Sequence, residues 1–202
     1  MTKKDYKIIA LLGFITAVFL SVILVNTSIH LSFRGYTFPL WTLYFLLPLL
    51  EISAYAIASR FFRHFAVLRQ AGRFGIVGFM NFSIDTGILS FLSRMTGIYK
   101  GIGIIPLNLI SVTIAIFNSY FWNRSWTFEN QANPSGKEFY KFLAITIGGI
   151  FINSALVYVF TTYIPPFGGV TPERLEILVK IASVSVALFW NFLGYKLIVF
   201  KS

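Results

Sequence analysis

Asp85 lies inside the apolar stretch RFGIVGFMNFSIDTGILSFL, residues 73–92, with Asn81 four positions before it. Residues four apart share one face of a helix, so the pair presents a carboxyl and an amide side by side. Neither group belongs against lipid; both turn toward a bundle interior or a cavity. Together they suit a hydroxyl-rich ligand, a cationic group, or the exchange of a proton. The plainer alternative is a hydrogen-bonded contact between two helices. Asp85 comes twelve residues after Arg73, about 18 Å along a helix, which is near the middle of a bilayer. A second set gathers at the ends of the apolar runs. Arg73, Arg124, Lys141 and Lys196 are accompanied there by Asn118, Asn123 and Asn191. Arginine offers phosphate a planar fork and lysine a point charge, so a ring of these residues makes a phosphate-binding mouth. Anchoring at the headgroup level is the alternative reading.

Other polar residues in the runs carry less. Glu51, among Leu49, Leu50 and Ile52, must pair or take up a proton, and a structural contact is the favoured reading. Lys180 stands near the end of its run, where its stem reaches the interface. The chain has no cysteine, and His30 and His64 stand apart without metal-ligand spacing. The glycines at 101–103 and 168–169 lack the Lys-Ser/Thr of a phosphate-binding loop and read as turns. The expectation is a protein without catalytic residues, metal or cofactor.

What positions these groups is a set of membrane spans. Hydrophobic residues make up 56% of the 202 residues and charged residues only 12%, far from a soluble domain of this size. Six runs are long enough to cross hydrocarbon. They lie at Ile8–Val25, Phe38–Ser59, Phe74–Leu92, Ile104–Trp122, Phe142–Tyr163 and Ile177–Phe200. They are continuously apolar rather than alternating, so they are helices and not barrel strands. The fold class expected is all-α, a polytopic membrane protein with six transmembrane helices.

The +10 net charge then sorts by side. Lys3, Lys4, Lys7, Arg60, Arg63, Arg69, Arg73, Arg124, Lys137, Lys141, Lys196 and Lys201 fall on one side, and Arg34, Arg94, Lys100, Arg174 and Lys180 on the other. The excess marks the cytoplasmic face and puts both termini there. The charge reads as topology and lipid-headgroup contact rather than nucleic-acid binding. The first run has a basic start but no A-x-A-like cleavage site after it, and reads as an uncleaved anchor.

The chain also repeats. A shift of 68 aligns RFGIVGFMNFSID (73–85) with KFLAITIGGIFIN (141–153), pairing Arg73 with Lys141, Phe74 with Phe142 and Asp85 with Asn153. A shift of 72 aligns NRSWTF (123–128) with YKLIVF (195–200), pairing Arg124 with Lys196 and Phe128 with Phe200. Spans three and four thus resemble spans five and six as parallel repeats, and Asn153 joins Asp85 and Asn81 as a candidate at the same depth. Spans one and two have no partner and read as an added hairpin. Gly75, Gly78, Gly87, Gly148 and Gly149 are expected to let helices approach, and Pro48 and Pro106 to kink or start theirs.

The stretches RFGIVGFMNFSIDTGILSFL and FNSYFWNRSWTF (117–128) resemble the GtrA-like family of small membrane proteins. Asn81 and Asp85 match the Asn and Asp of that family's first span. Asn123, Arg124, Trp126 and Phe128 match its Asn-Arg-x-Trp-x-Phe signature. The resemblance covers about 70–201, leaving residues 1–69 as an N-terminal hairpin with its linker and 70–202 as the family domain. It implies a flippase rather than an enzyme, moving a polyprenyl-phosphate-linked monosaccharide across the cytoplasmic membrane for cell-surface polysaccharide glycosylation. It also implies a four-helix core like that of small multidrug transporters, which commonly act as dimers, and a membrane glycosyltransferase as the consumer. Two other functions stay open: a scaffold that recruits a glycosyltransferase, and a proton-coupled exporter of cationic compounds using Asp85.

Overall fold

The computed structural model describes residues 2–27, 30–33, 36–62, 64–98, 103–130, 132–164 and 172–200. Arg34, Arg63, Lys100, Lys201, the turn residues 101–102 and 168–169, and the side chains of Asn153, Arg174 and Lys180 lie outside this description. The described residues are overwhelmingly helical, as in a polytopic membrane protein, and form six α-helices: α1 (Lys3–Thr27), α2 (Leu43–Phe61), α3 (Ala66–Thr96), α4 (Ile104–Trp122), α5 (Gly136–Tyr163) and α6 (Pro172–Gly194). Three described helical stretches, Lys3–Thr27, Leu40–Phe61 and Ala66–Thr96, are long and apolar enough to cross a membrane. Outward faces carry bare large apolar side chains, with Phe45 71% and Phe82 61% exposed. That would be a liability in water but suits a protein solvated by hydrocarbon.

The helices outrun the apolar stretches. Arg69 and Arg73, expected in a loop, are helical: no proline interrupts residues 66–74, and Gly72 alone does not end the helix. α3 stops at Gly97, whose φ of 71° is the left-handed conformation that closes a helix at little cost only with glycine. Ser135 caps α5, its Oγ accepting from the Glu138 amide, and Glu138 Oε2 in turn accepts from Asn130. Between α1 and α2 lies a two-residue antiparallel ladder, β1 (Ser32–Phe33) on β2 (Tyr36–Thr37), which the apolar pattern does not announce.

α4 and α6 both end unusually. Each passes into a five-residue π turn, Asn123–Thr127 and Tyr195–Val199. Each is closed by the next residue's amide: Phe128 donates to the Asn123 carbonyl (2.9 Å) and Phe200 to the Tyr195 carbonyl (2.8 Å). These are the two segments that the shift of 72 aligns.

The chain folds as two compact units, Met1–Glu129 and Asn130–Ser202. In the first, α1 packs on α2 and α3, and α3 also on α4. Its core joins Ile9 and Leu12 of α1, Tyr55 of α2, Val77, Met80 and Ile84 of α3, and Trp126 of the π turn. Small residues set the spacing. A side chain at Gly13 would meet Pro48 Cα at 2.7 Å, and one at Gly87 would meet Phe19 at 2.8 Å. Gly75, expected at a contact, faces open space. In the second unit α5 packs on α6, with Gly149 against Asn191 and Gly148 against Trp190. Phe142, fully buried, stacks on Tyr195 at 4.5 Å, and the Tyr195 hydroxyl bonds Thr146. Pro48 lies within α2 and Pro106 in the first turn of α4.

Candidate functional site

The α3–α4 pair carries two polar rungs within its apolar length. Ser111 Oγ donates to Asp85 Oδ1 at 2.7 Å, and Asn118 Nδ2 donates to Asn81 Oδ1 at 2.6 Å. Asn81 and Asp85 share a face of α3 one turn apart. Ser111 and Asn118 answer two turns apart on α4, which runs antiparallel. Ser111 is fully buried, while Asn81, Asp85 and Asn118 are half-buried. The rungs use one Asp85 oxygen, the Asn81 oxygen and the Asn118 amide nitrogen. The second Asp85 oxygen, the Asn81 amide nitrogen and the Asn118 oxygen stand outside those bonds, an array of donor and acceptors that suits hydroxyl groups. Asn118, grouped by its sequence position with the basic end, stands with this set. Asn153 lies on α5, its side chain outside the description.

At the other end of α3, Arg73 organises a denser cluster. Its Nη2 pairs with Asp5 at 3.0 Å, and its Nη1 with Glu129 at 2.8 Å and with the Trp126 carbonyl at 3.0 Å. Its Nε donates to the Tyr55 hydroxyl at 3.2 Å, and the guanidinium sits 5.6 Å from the Trp126 ring centroid. Asp5 also accepts from the Trp126 indole at 3.1 Å and from the Thr2 amide and hydroxyl. Four polar contacts and one ring thus fix the Arg73 fork, two of the polar contacts being to groups of the N-terminal hairpin. Glu129 reaches its place with a φ of 49°, a left-handed backbone that a non-glycine residue holds under strain.

The remaining basic-end residues divide between the units. Arg124 is half-buried in the first π turn. Asn123 is 1% exposed, and its Nδ2 bonds the Ser119 carbonyl and hydroxyl, so it braces the end of α4; its Oδ1 is buried without a hydrogen-bond partner. In the second unit Lys141 is exposed, and Lys196 sits in the second π turn 6.0 Å from the Phe192 ring. Asn191 backs onto Gly149 with its Oδ1 buried and without a partner. An apolar groove lined by Phe38, Trp41, Phe45 and Leu49 lies beside the β ladder, holds no ionisable group and is not where this chemistry sits.

Sequence reasoning missed Ser111, Asp5 and Tyr55. Ser111 had a signal, since the shift of 72 pairs it with Ser183, and both are buried. Asp5 and Tyr55 had none. The repeat itself is visible in each unit separately. Phe74 meets Phe128 at 6.5 Å in the first, and their counterparts Phe142 and Phe200 meet at 6.3 Å in the second.

Comparison with known proteins gives a family and a relative. The family profile described as GtrA/DPMS, transmembrane domain, matches residues 73–200, from the first residue of copy one to the last aligned residue of copy two. The uncharacterized membrane protein YngA of Bacillus subtilis (strain 168) is 33% identical over 134 residues, which is 66% of this chain and 80% of that protein. No solved structure gives a significant match.

Proposed function

The chain belongs to the GtrA/DPMS transmembrane-domain family, and from that premise we propose that it moves a polyprenyl-phosphate-linked monosaccharide between the leaflets of the cytoplasmic membrane. The product would feed glycosylation of a cell-surface polysaccharide by a membrane glycosyltransferase. The observation that carries the reading is the pair of polar rungs, Asp85–Ser111 and Asn81–Asn118, in the apolar depth of α3–α4. A sugar headgroup cannot cross hydrocarbon without replacing its water hydrogen bonds, and the half-buried acceptors and amides of these rungs replace them. The polyprenyl tail stays in lipid throughout.

In this proposal Asp85 and Asn81 hold sugar hydroxyls, with Asn153 offering an amide at the equivalent position of copy two. Arg124 in the first unit, and Lys141 and Lys196 in the second, are the residues that receive phosphate at the cytoplasmic side, with Asn123 and Asn191 near them in their own units. Arg73, its fork largely committed, supports the cytoplasmic end of the first unit. Asp85 contacts the sugar and not the phosphate, which its charge would repel. The chain spans the membrane six times with both termini cytoplasmic. It works as a homodimer, with a core similar to that of small multidrug transporters. No bond is made or broken, so the activity is transport.

The test is translocation in proteoliposomes carrying a short-chain polyprenyl-phosphate hexose in one leaflet. Movement above empty liposomes is expected for the wild type, and its loss in Asp85→Ala and in Arg124→Ala, both checked for folding. Wild-type protein that is folded yet moves none of several hexoses would overturn the transport reading in favour of a glycosyltransferase scaffold. Full transport by Asp85→Ala would overturn the site.

A further inference from the structure

Glu51 is an ionisable group inside a span that the transport reading leaves unused. It lies at the middle of α2, and both carboxyl oxygens are buried without a hydrogen-bond partner. It also stands at the tightest crossing of the N-terminal hairpin. A side chain on Gly13 of α1 would strike Pro48 at 2.7 Å and come within 3.2 Å of Glu51 Oε2. The α1 backbone therefore closes over the carboxyl.

Among the described residues no ion pair or hydrogen bond to its carboxyl oxygens is formed. Between Lys7 and Thr27, α1 contains no ionisable residue. On α3, Arg73 is paired with Asp5 and Glu129, and Asp85 takes its bond from Ser111. Tyr55, one turn along α2 on the same face, bonds Arg73. An isolated carboxylate in such surroundings takes up a proton rather than stay charged. Pro48, which has no N–H to offer the Tyr44 carbonyl, and Glu51 Oε2 both border the Gly13 position at this crossing.

We propose that Glu51 is a reversible proton-binding site of the N-terminal hairpin, protonated while α1 and α2 are closed at the Gly13–Pro48 crossing and discharged when water enters there. Because Glu51 and Tyr55 share a face of α2, a change at this crossing is passed to the Arg73 cluster. The site lies outside the segment that matches the family, and its existence does not depend on what the family domain carries.

The experiment uses the full chain in lipid nanodiscs. Infrared difference spectra between wild type and Glu51→Gln should show a carboxylic-acid carbonyl band that shifts in deuterium oxide. The band should fade by about tenfold per pH unit once the pH exceeds the group's pKa. In parallel, wild-type protein treated with dicyclohexylcarbodiimide, which adds to protonated buried carboxyls, should carry the adduct at Glu51, with labelling lost over the same pH range. A titrating signal from either measurement supports the site. A Glu51 that is neither labelled nor seen as an acid at any pH, or that stays protonated across the whole range, overturns it. The labelling needs no variant, so misfolding of Glu51→Gln leaves the proposal open to refutation.

Discussion

Replacing Asp5 with alanine tests whether charge locks the N-terminal helix to the family hairpin. Asp5 is 2% exposed and serves Arg73, the Trp126 indole and Thr2 together. Alanine strands the Trp126 N–H at 1% exposure, and an unsatisfied buried donor costs about 1–3 kcal/mol. Breaking one side of a fully buried ion pair costs ~3–5 kcal/mol. Here the Arg73 side chain is 15% exposed and keeps Glu129, Tyr55 and the Trp126 carbonyl. Its share therefore falls to about 1 kcal/mol. The total is about 3 kcal/mol, roughly 150-fold in the folding equilibrium. Reversible unfolding in mixed micelles by dodecyl sulfate, followed by tryptophan fluorescence, reads this directly. Asp5→Asn, which keeps an acceptor for the indole but loses the charge, should fall between wild type and alanine. A double-mutant cycle of Asp5→Ala with Trp126→Phe should show a coupling of about 1 kcal/mol or more. An Asp5→Ala protein within about 0.5 kcal/mol of wild type, or strictly additive substitutions, would refute the lock.

Other substitutions separate close packing from open space. Gly13→Ala drives a methyl into Pro48 and should cost about 1–3 kcal/mol, whereas Gly75→Ala meets nothing and should be neutral or stabilising by up to ~1 kcal/mol in the same unfolding assay. Glu129→Gly relieves a left-handed residue but removes a half-exposed ion pair. The two effects are each of order 1 kcal/mol, so stability should stay within about 1 kcal/mol of wild type.

Helices were legible because uninterrupted apolar runs in lipid leave the backbone one way to pair. The repeat was legible because Arg/Lys and Phe recur at fixed shifts, and the ring pairs Phe74–Phe128 and Phe142–Phe200 follow them. Asp85 and Asn81 stood out by type, since carboxyl and amide groups are conspicuous among apolar neighbours. Their partners did not: a serine such as Ser111 hides in a span, and Asn118 was grouped by its place in the chain rather than by helix depth. The Arg73 cluster was hidden for another reason. Asp5, Tyr55 and Glu129 lie far from Arg73 in sequence, and no periodicity links α1 to the end of α4. The π turns were invisible because an apolar helix end reads alike whether its amides reach back four residues or five.

Those two wide turns shift helical phase. One extra residue in a helical turn rotates all that follows by about 100° around the axis. Trp126 sits within the first wide turn and donates to Asp5 of α1, Phe128 closes that turn and meets Phe74 of α3, and Phe200 closes the second and meets Phe142. The offset recurs in both copies at the same aligned place. Doubling the hairpin therefore preserved an angular setting along with its residues, and a single-residue deletion in either wide turn would undo it in one half while the other kept its phase.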